Sequence, residues 1–215
     1  VIPQKQPGLY AVAWHPIGGQ PDLNTLCALS DALVDMNGTE MRLAPDETAY
    51  IINLTGTEAK KILDLTADGA QTLFETSVSC IGGATCQVGM RDSQALLHAC
   101  VDAVRKADIP DGALPQVHIS GCPSSCGTHQ TGVLGFRGAS RLVDGKPQAG
   151  FLLFVGGSAH QGQETMGREV GVLLEKDVPA YLIDLGRTVA ASGQDFNTWF
   201  KANPKGPDQI AEKYL

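Results

Sequence analysis

Two cysteine pairs, Cys80-x5-Cys86 and Cys122-x3-Cys126, lie in glycine-rich loops. Together they present four thiolates, the number that a cubane iron–sulfur cluster takes. The loops read CIGGATCQVG (Cys80 to Gly89) and SGCPSSCG (Ser120 to Gly127). Gly82, Gly83, Gly121 and Gly127 allow tight turns that bring backbone N–H groups near sulfur, and Pro123 helps to fix the second turn. Three other readings compete: a zinc site, a pair of disulfides, or thiols packed in a core. Zinc knuckles are usually C-x2-C or C-x4-C, and neither pair has that spacing. Disulfide frameworks belong to short secreted chains, whereas this one has 215 residues and shows no apolar leader. Core thiols ride on apolar stripes, which loops of Gly, Pro and Ser do not offer. Spacing and context favour an iron–sulfur cluster and leave the other three readings open.

The remaining cysteines show the plainer case. Residues 92–107 place Leu96, Leu97, Cys100, Val101 and Val104 at helical spacing, with Asp92 or Ser93 as N-cap, so Cys100 is expected in the core. Asn24 to Met36 puts Leu26, Leu29, Leu33 and Met36 on one stripe with Cys27 beside them, in a helix ended by Asn37-Gly38. Cys27 is expected in the core as well.

The elements that must hold the cysteine loops read as follows. From Leu9 to Leu65 the signals run strand (LYAVAW), loop, helix, strand (TEMRLA), strand (TAYIINL), helix (TGTEAKKILDL). This βαββα unit resembles a ferredoxin-like sandwich one strand short, which a second copy or another chain would complete. Beyond it come the cysteine loops around the Asp92 helix, then strands over Gln116–Ser120, Gly150–Gly157 and Ala180–Gly186. The unbroken apolar run Phe151 to Val155 predicts burial on both faces, and Gly156-Gly157 would end it where a ligand approaches closely. A terminal segment carries Phe196, Trp199 and Phe200 on one helical face and reads as a packed tail. The fold class is therefore α+β: a ferredoxin-like half-domain over 1–68, a mixed α/β domain over 69–188, and a C-terminal tail over 189–215.

Composition bounds the function. With 43% apolar and 18% charged residues the chain is an ordinary globular protein with a core to bury. A formal net charge of −7, with no basic stripe, argues against a nucleic-acid partner. There is no transmembrane run, and unpaired thiols without a targeting signal suggest the cytoplasm. The start, VIPQKQPG, resembles an inter-domain linker and suggests a fragment.

On C-x5-C at Cys80 and Cys86, GCPxxC at Gly121 to Cys126, the following GVLGFRG and the VGG at Val155 to Gly157, the chain resembles the C-terminal half of the sirohaem-dependent nitrite and sulfite reductases. The resemblance implies that Cys80, Cys86, Cys122 and Cys126 hold a [4Fe–4S] cluster, with Cys126 also ligating sirohaem iron. It implies reduction of nitrite to ammonia or of sulfite to sulfide by six electrons. An electron donor such as ferredoxin or a reductase subunit would feed it, and an N-terminal repeat or partner chain would complete the fold. Sirohaem carries many carboxylates, for which guanidinium groups are suited. Arg42, Arg91 and Arg137 are the candidates, each with the competing reading of a solvated surface arginine. His129 is a candidate proton donor or supporting group, against an ordinary surface or hydrogen-bonded core histidine. Ser124 stands where the family pattern has Asn, and the family's substrate-gripping basic residues come largely from a repeat this chain lacks. Two other functions fit the same residues: a precorrin hydroxylating synthase of cobalamin biosynthesis, which keeps a cluster but not sirohaem, and a non-enzymatic iron–sulfur electron-transfer module.

Overall fold

The computed structural model describes Val1–Leu215, which divide into two compact units, Val1–Gln71 and Thr72–Leu215. The first contains β1 (Ile2–Pro3), β2 (Tyr10–Trp14), α1 (Leu23–Val34), β3 (Glu40–Leu43), β4 (Ala49–Leu54) and α2 (Gly56–Leu65). Its sheet runs β1-β2-β4-β3 with every neighbouring pair antiparallel. Both helices start on side-chain caps. Asp22 accepts from the Asn24 and Thr25 N–H groups, and Thr55 and Glu58 form a reciprocal capping box. Val12, Trp14, Ile51 and Leu54 of the sheet meet Leu29, Ala32 and Ile62 of the helices in one core. The edge beside β2 is taken by the two-residue β1, so this chain itself supplies a short piece of the strand that a βαββα unit lacks. Cys27 departs from expectation: it is exposed, because the buried side of α1 is centred on Leu29 and Ala32 and Cys27 lies off it.

The second unit contains β5 (Val78–Ser79), α3 (Ser93–Lys106), β6 (Val117–Ser120), β7 (Leu134–Val143), β8 (Lys146–Val155), β9 (Arg168–Leu174), α4 (Val178–Ala191), α5 (Phe196–Ala202) and α6 (Gly206–Ala211). Its sheet has the order β5-β6-β7-β8-β9, with β5, β6 and β7 parallel and the last two pairs antiparallel. Phe151 to Val155 of β8 is buried throughout. Phe136 and Phe151 are fully buried with Tyr181, whose ring meets Phe136 edge-on at 6.4 Å.

The strand expected over Ala180–Gly186 is instead the middle of α4. Pro179 stands in its first turn, and Tyr181, Leu182, Leu185 and Val189 form a buried stripe of period near 3.6, which wins over the local strand-like run. Residues 189–215 fall inside the second unit, with Phe196 and Trp199 buried. Gly156-Gly157 does end β8, but the close approach there is by the chain itself. A Cβ on Gly157 would stand 2.5 Å from the carbonyl oxygens of Gln130 and Gly132. No helix is long and apolar enough to cross a membrane.

Candidate metal centre

Both cysteine loops leave the C-terminal ends of neighbouring parallel strands, where open α/β sheets gather their ligands. Cys80 directly follows β5, and its N–H continues the parallel ladder to the Ile119 carbonyl at 3.0 Å. Cys122 follows β6 after Gly121. The loops are laced together around that glycine: its carbonyl accepts from the N–H groups of Met90 and Arg91 at 3.1 and 3.0 Å, and its N–H donates to Cys80 Sγ at 3.2 Å. A Cβ on Gly121 would lie 2.5 Å from the Arg91 carbonyl, so this crossing admits no side chain.

Within the first loop the Cys86 N–H donates to the Gly82 carbonyl at 2.8 Å, and Gly83 packs against Gly89 so closely that a Cβ on Gly89 would meet Gly83 Cα at 2.7 Å. In the second loop the Gly127 N–H donates to Ser120 Oγ at 3.1 Å. Ser125 and Thr128, on either side of Cys126 and Gly127, take positive φ values of 60° and 52°. For β-branched Thr128 this is an unusual conformation; its hydroxyl is held by His118 Nδ1 at 2.8 Å.

Cys80, Cys86, Cys122 and Cys126 line one small concavity together with Ile81, Val88, Gly82, Gly89 and Gly121. All are free thiols; Cys122 is buried, Cys80 and Cys86 are half-buried, and Cys126 is exposed. No group of three or more His, Cys, Asp or Glu side chains is placed to hold a single metal ion. The four cysteines border a shared concavity instead, two from each loop. Soft sulfur donors on glycine-built loops, with a backbone N–H already aimed at one sulfur, fit an iron–sulfur cluster. Cys100 is fully buried within α3, and burial pushes its thiol pKa far up. It therefore stays a neutral core side chain, apart from the other four.

Arg91 and Arg137 belong to the second unit, and Arg42 to the first. Arg91 follows the first loop and pins it to β7, donating from Nε to the Ala139 carbonyl at 2.8 Å and from Nη1 to the Met90 carbonyl at 3.0 Å. Arg137, on β7, lies over the Phe154 ring at 5.5 Å, with Nη1 3.9 Å from Glu169 and its buried Nε unpartnered. Arg42 belongs to the first unit, on β3, where its exposed guanidinium pairs with Glu40 at 2.9 Å.

His129 is a core histidine, but not a hydrogen-bonded one. It is wholly buried, its ring 4.8 Å from that of Phe154, and neither ring nitrogen has a hydrogen-bond partner. Burial first, and then the Arg137 charge, push its pKa down to about 4, so the ring is neutral near pH 7. Ser93, expected only as a possible N-cap, and Ser120, expected only as the start of the second loop, both make hydrogen bonds to the cysteine loops. Only the alternation of Ser with Gly and Cys beside a strand or helix end marks them.

No family model matches the chain. A ferredoxin–nitrite reductase of Synechococcus elongatus is 29% identical over 198 residues, covering 86% of this chain and 37% of the reductase. A ferredoxin-type sulfite reductase of Mycolicibacterium paratuberculosis is 26% identical over 174 residues, covering 76% of this chain and 31% of that protein. The chain thus spans about a third of the length of the curated relatives it matches. Among solved structures, the Mycobacterium tuberculosis NirA protein superposes with a TM-score of 0.72 at 20% identity over 85% of this chain and 37% of that one, which shows a shared fold.

Proposed function

We propose that this chain, a relative of the nitrite and sulfite reductases, is the cluster-bearing part of an oxidoreductase that reduces nitrite to ammonia or sulfite to sulfide. Cys80, Cys86, Cys122 and Cys126 hold a [4Fe–4S] cluster, and Cys126 also faces a sirohaem. The observation that carries this reading is the meeting of four thiols from two interlaced loops at one concavity. When bound, the cluster and haem supply repeated single-electron transfer.

The chain's own residues position and orient. The Gly121 crossing sets the distance between the loops, and the Gly121 N–H places a donor on Cys80 Sγ. Cys126 is exposed while Cys122 is buried, so the thiol offered to a second group is the outward one. Arg137 is the best suited of the three arginines to a tetrapyrrole carboxylate, because its buried Nε lacks a partner. Two donor atoms of Arg91 are already committed to carbonyls, and Arg42 to Glu40. The substrate-gripping cations and the electron donor belong to other parts of the assembly: a further repeat or partner chain, and a ferredoxin of the kind named for the relatives.

The test is the anaerobic visible spectrum of the intact polypeptide, with iron and labile-sulfide assays. A strong Soret band, red bands and an underlying cluster absorbance are expected. Cluster absorbance without haem bands would remove sirohaem from the proposal, and stoichiometric zinc in place of iron would remove the cluster.

A further inference from the structure

We propose that the Ser93 hydroxyl is a positioning group for Cys80, donating a hydrogen bond to its Sγ and thereby raising the reduction potential of the cluster. This rests on the cluster assignment proposed above. Ser93 is fully buried at the first position of α3, with Oγ 3.1 Å from Cys80 Sγ and 2.8 Å from the Cys80 carbonyl oxygen. A serine at a helix start ordinarily caps the helix. Here that task is done by Asp92, whose carboxylate accepts from the Ala95 N–H at 3.0 Å, so the Ser93 hydroxyl is left for the loop.

The hydroxyl has one proton and two acceptors within reach. Its competing acceptor, the Cys80 carbonyl, has a second donor in Ser79 Oγ at 3.2 Å. Once the sulfur is an iron-bound thiolate it carries negative charge, and hydrogen bonds to charged acceptors are roughly twice as strong as neutral ones. The proton then turns to sulfur and leaves the carbonyl to Ser79. Cys80 Sγ thereby receives two donors, the Ser93 hydroxyl and the Gly121 N–H, one from each side of the interlaced loops.

The geometry is held from above by Gly82. Its φ is +73°, and a Cβ there would stand 2.9 Å from Ser93 N and 3.0 Å from Ser93 Oγ. Any side chain at this position would displace the hydroxyl from the sulfur. Reduction adds an electron whose charge is shared with the cysteine sulfurs, so a donor on sulfur favours the reduced state.

The measurement is a spectroelectrochemical titration of the cluster in the intact, anaerobically purified polypeptide and in its Ser93→Ala variant. Ser93→Ala is expected to retain iron and sulfide and to lower the reduced-to-oxidised ratio about tenfold at a given potential, ~59 mV more negative for a one-electron couple. Electron–nuclear double resonance of the reduced wild-type cluster in H2O and D2O gives a second readout that does not depend on the variant folding. It should show two exchangeable protons coupled through Cys80 Sγ. An unchanged potential in a fully loaded Ser93→Ala protein, or a single such proton in the wild type, overturns the inference while leaving the cluster in place. A wild-type protein with no iron–sulfur absorbance fails at the earlier step and takes this inference with it.

Discussion

Cys100 and Cys126 put one side chain in opposite settings, one sealed in α3 and one exposed on a glycine-bounded turn. Replacing the buried thiol by a hydroxyl asks the core to desolvate a stronger polar group, so Cys100→Ser should lower stability by about 1–3 kcal/mol with iron and sulfide content unchanged. Cys126→Ser should leave stability nearly intact and abolish retention of cluster and haem. Metal and sulfide assays beside thermal melts separate the two, and equal metal losses in both variants would refute the ligand assignment. His129 supplies a pH prediction at the same scale. Its folded pKa, about 4, lies below its ordinary 6.5, so between these values the unfolded chain binds the proton and the folded one does not. Stability should therefore fall as pH drops through that window, by up to ~3 kcal/mol. His129→Leu should flatten this slope in unfolding midpoints measured from pH 7 to pH 4; an unaltered slope would place its origin elsewhere.

The loops work as elements because glycines let two backbones cross where side chains cannot fit. At Gly127 a Cβ would stand 2.0 Å from the Ile119 carbonyl oxygen, a contact neither backbone relieves without moving the second loop off β6. Gly127→Ala should cost most of the bound iron even though every thiol remains, and full metal content would show that the loop has slack. This site was legible in the sequence because glycine beside cysteine is a local signal. The helices themselves were legible from their apolar spacing, while their caps, Asp22 and Thr55, are seen only in the structure. Elements whose identity depends on distant partners were not. AYLIDLG is apolar enough for a strand, and only its place on a stripe running from Tyr181 to Val189 makes it α4. Cys27 looked like core because the width of the buried side of α1 depends on what packs against it. The Asp144-Gly145 turn, both residues at positive φ, joins β7 and β8 in a hairpin that was not among the expected elements. Ser93 was read as a possible cap, and only its distance to Cys80 gives it a second task.

At the scale of the whole chain, the two units have separate cores, and the cysteine-bearing one is closed by its own C-terminus. Arg141 donates to the Tyr214 carbonyl, Leu215 covers Gly171 of β9, and Asp184 on α4 accepts from both Lys213 Nζ and the Tyr214 hydroxyl at 2.7 Å. Those two side-chain hydrogen bonds, Lys213 first, hold the Asp184 carboxyl below its ordinary range. A carboxyl whose folded pKa is depressed lends stability above its unfolded pKa, and that contribution is lost as pH falls through the folded value. The clamp should therefore be fully engaged at pH 7 and weaken progressively below about pH 4. Because the pair is partly exposed and screened, Asp184→Asn should destabilise by only ~1 kcal/mol at neutral pH. Its signature should be local: faster amide exchange over residues 206–215 at pH 7, little difference from wild type in acid, and no change in bound iron. If exchange in that segment is equally slow with and without the carboxylate at pH 7, the segment is held by its other contacts, Arg141 on the Tyr214 carbonyl and Leu215 over Gly171 among them.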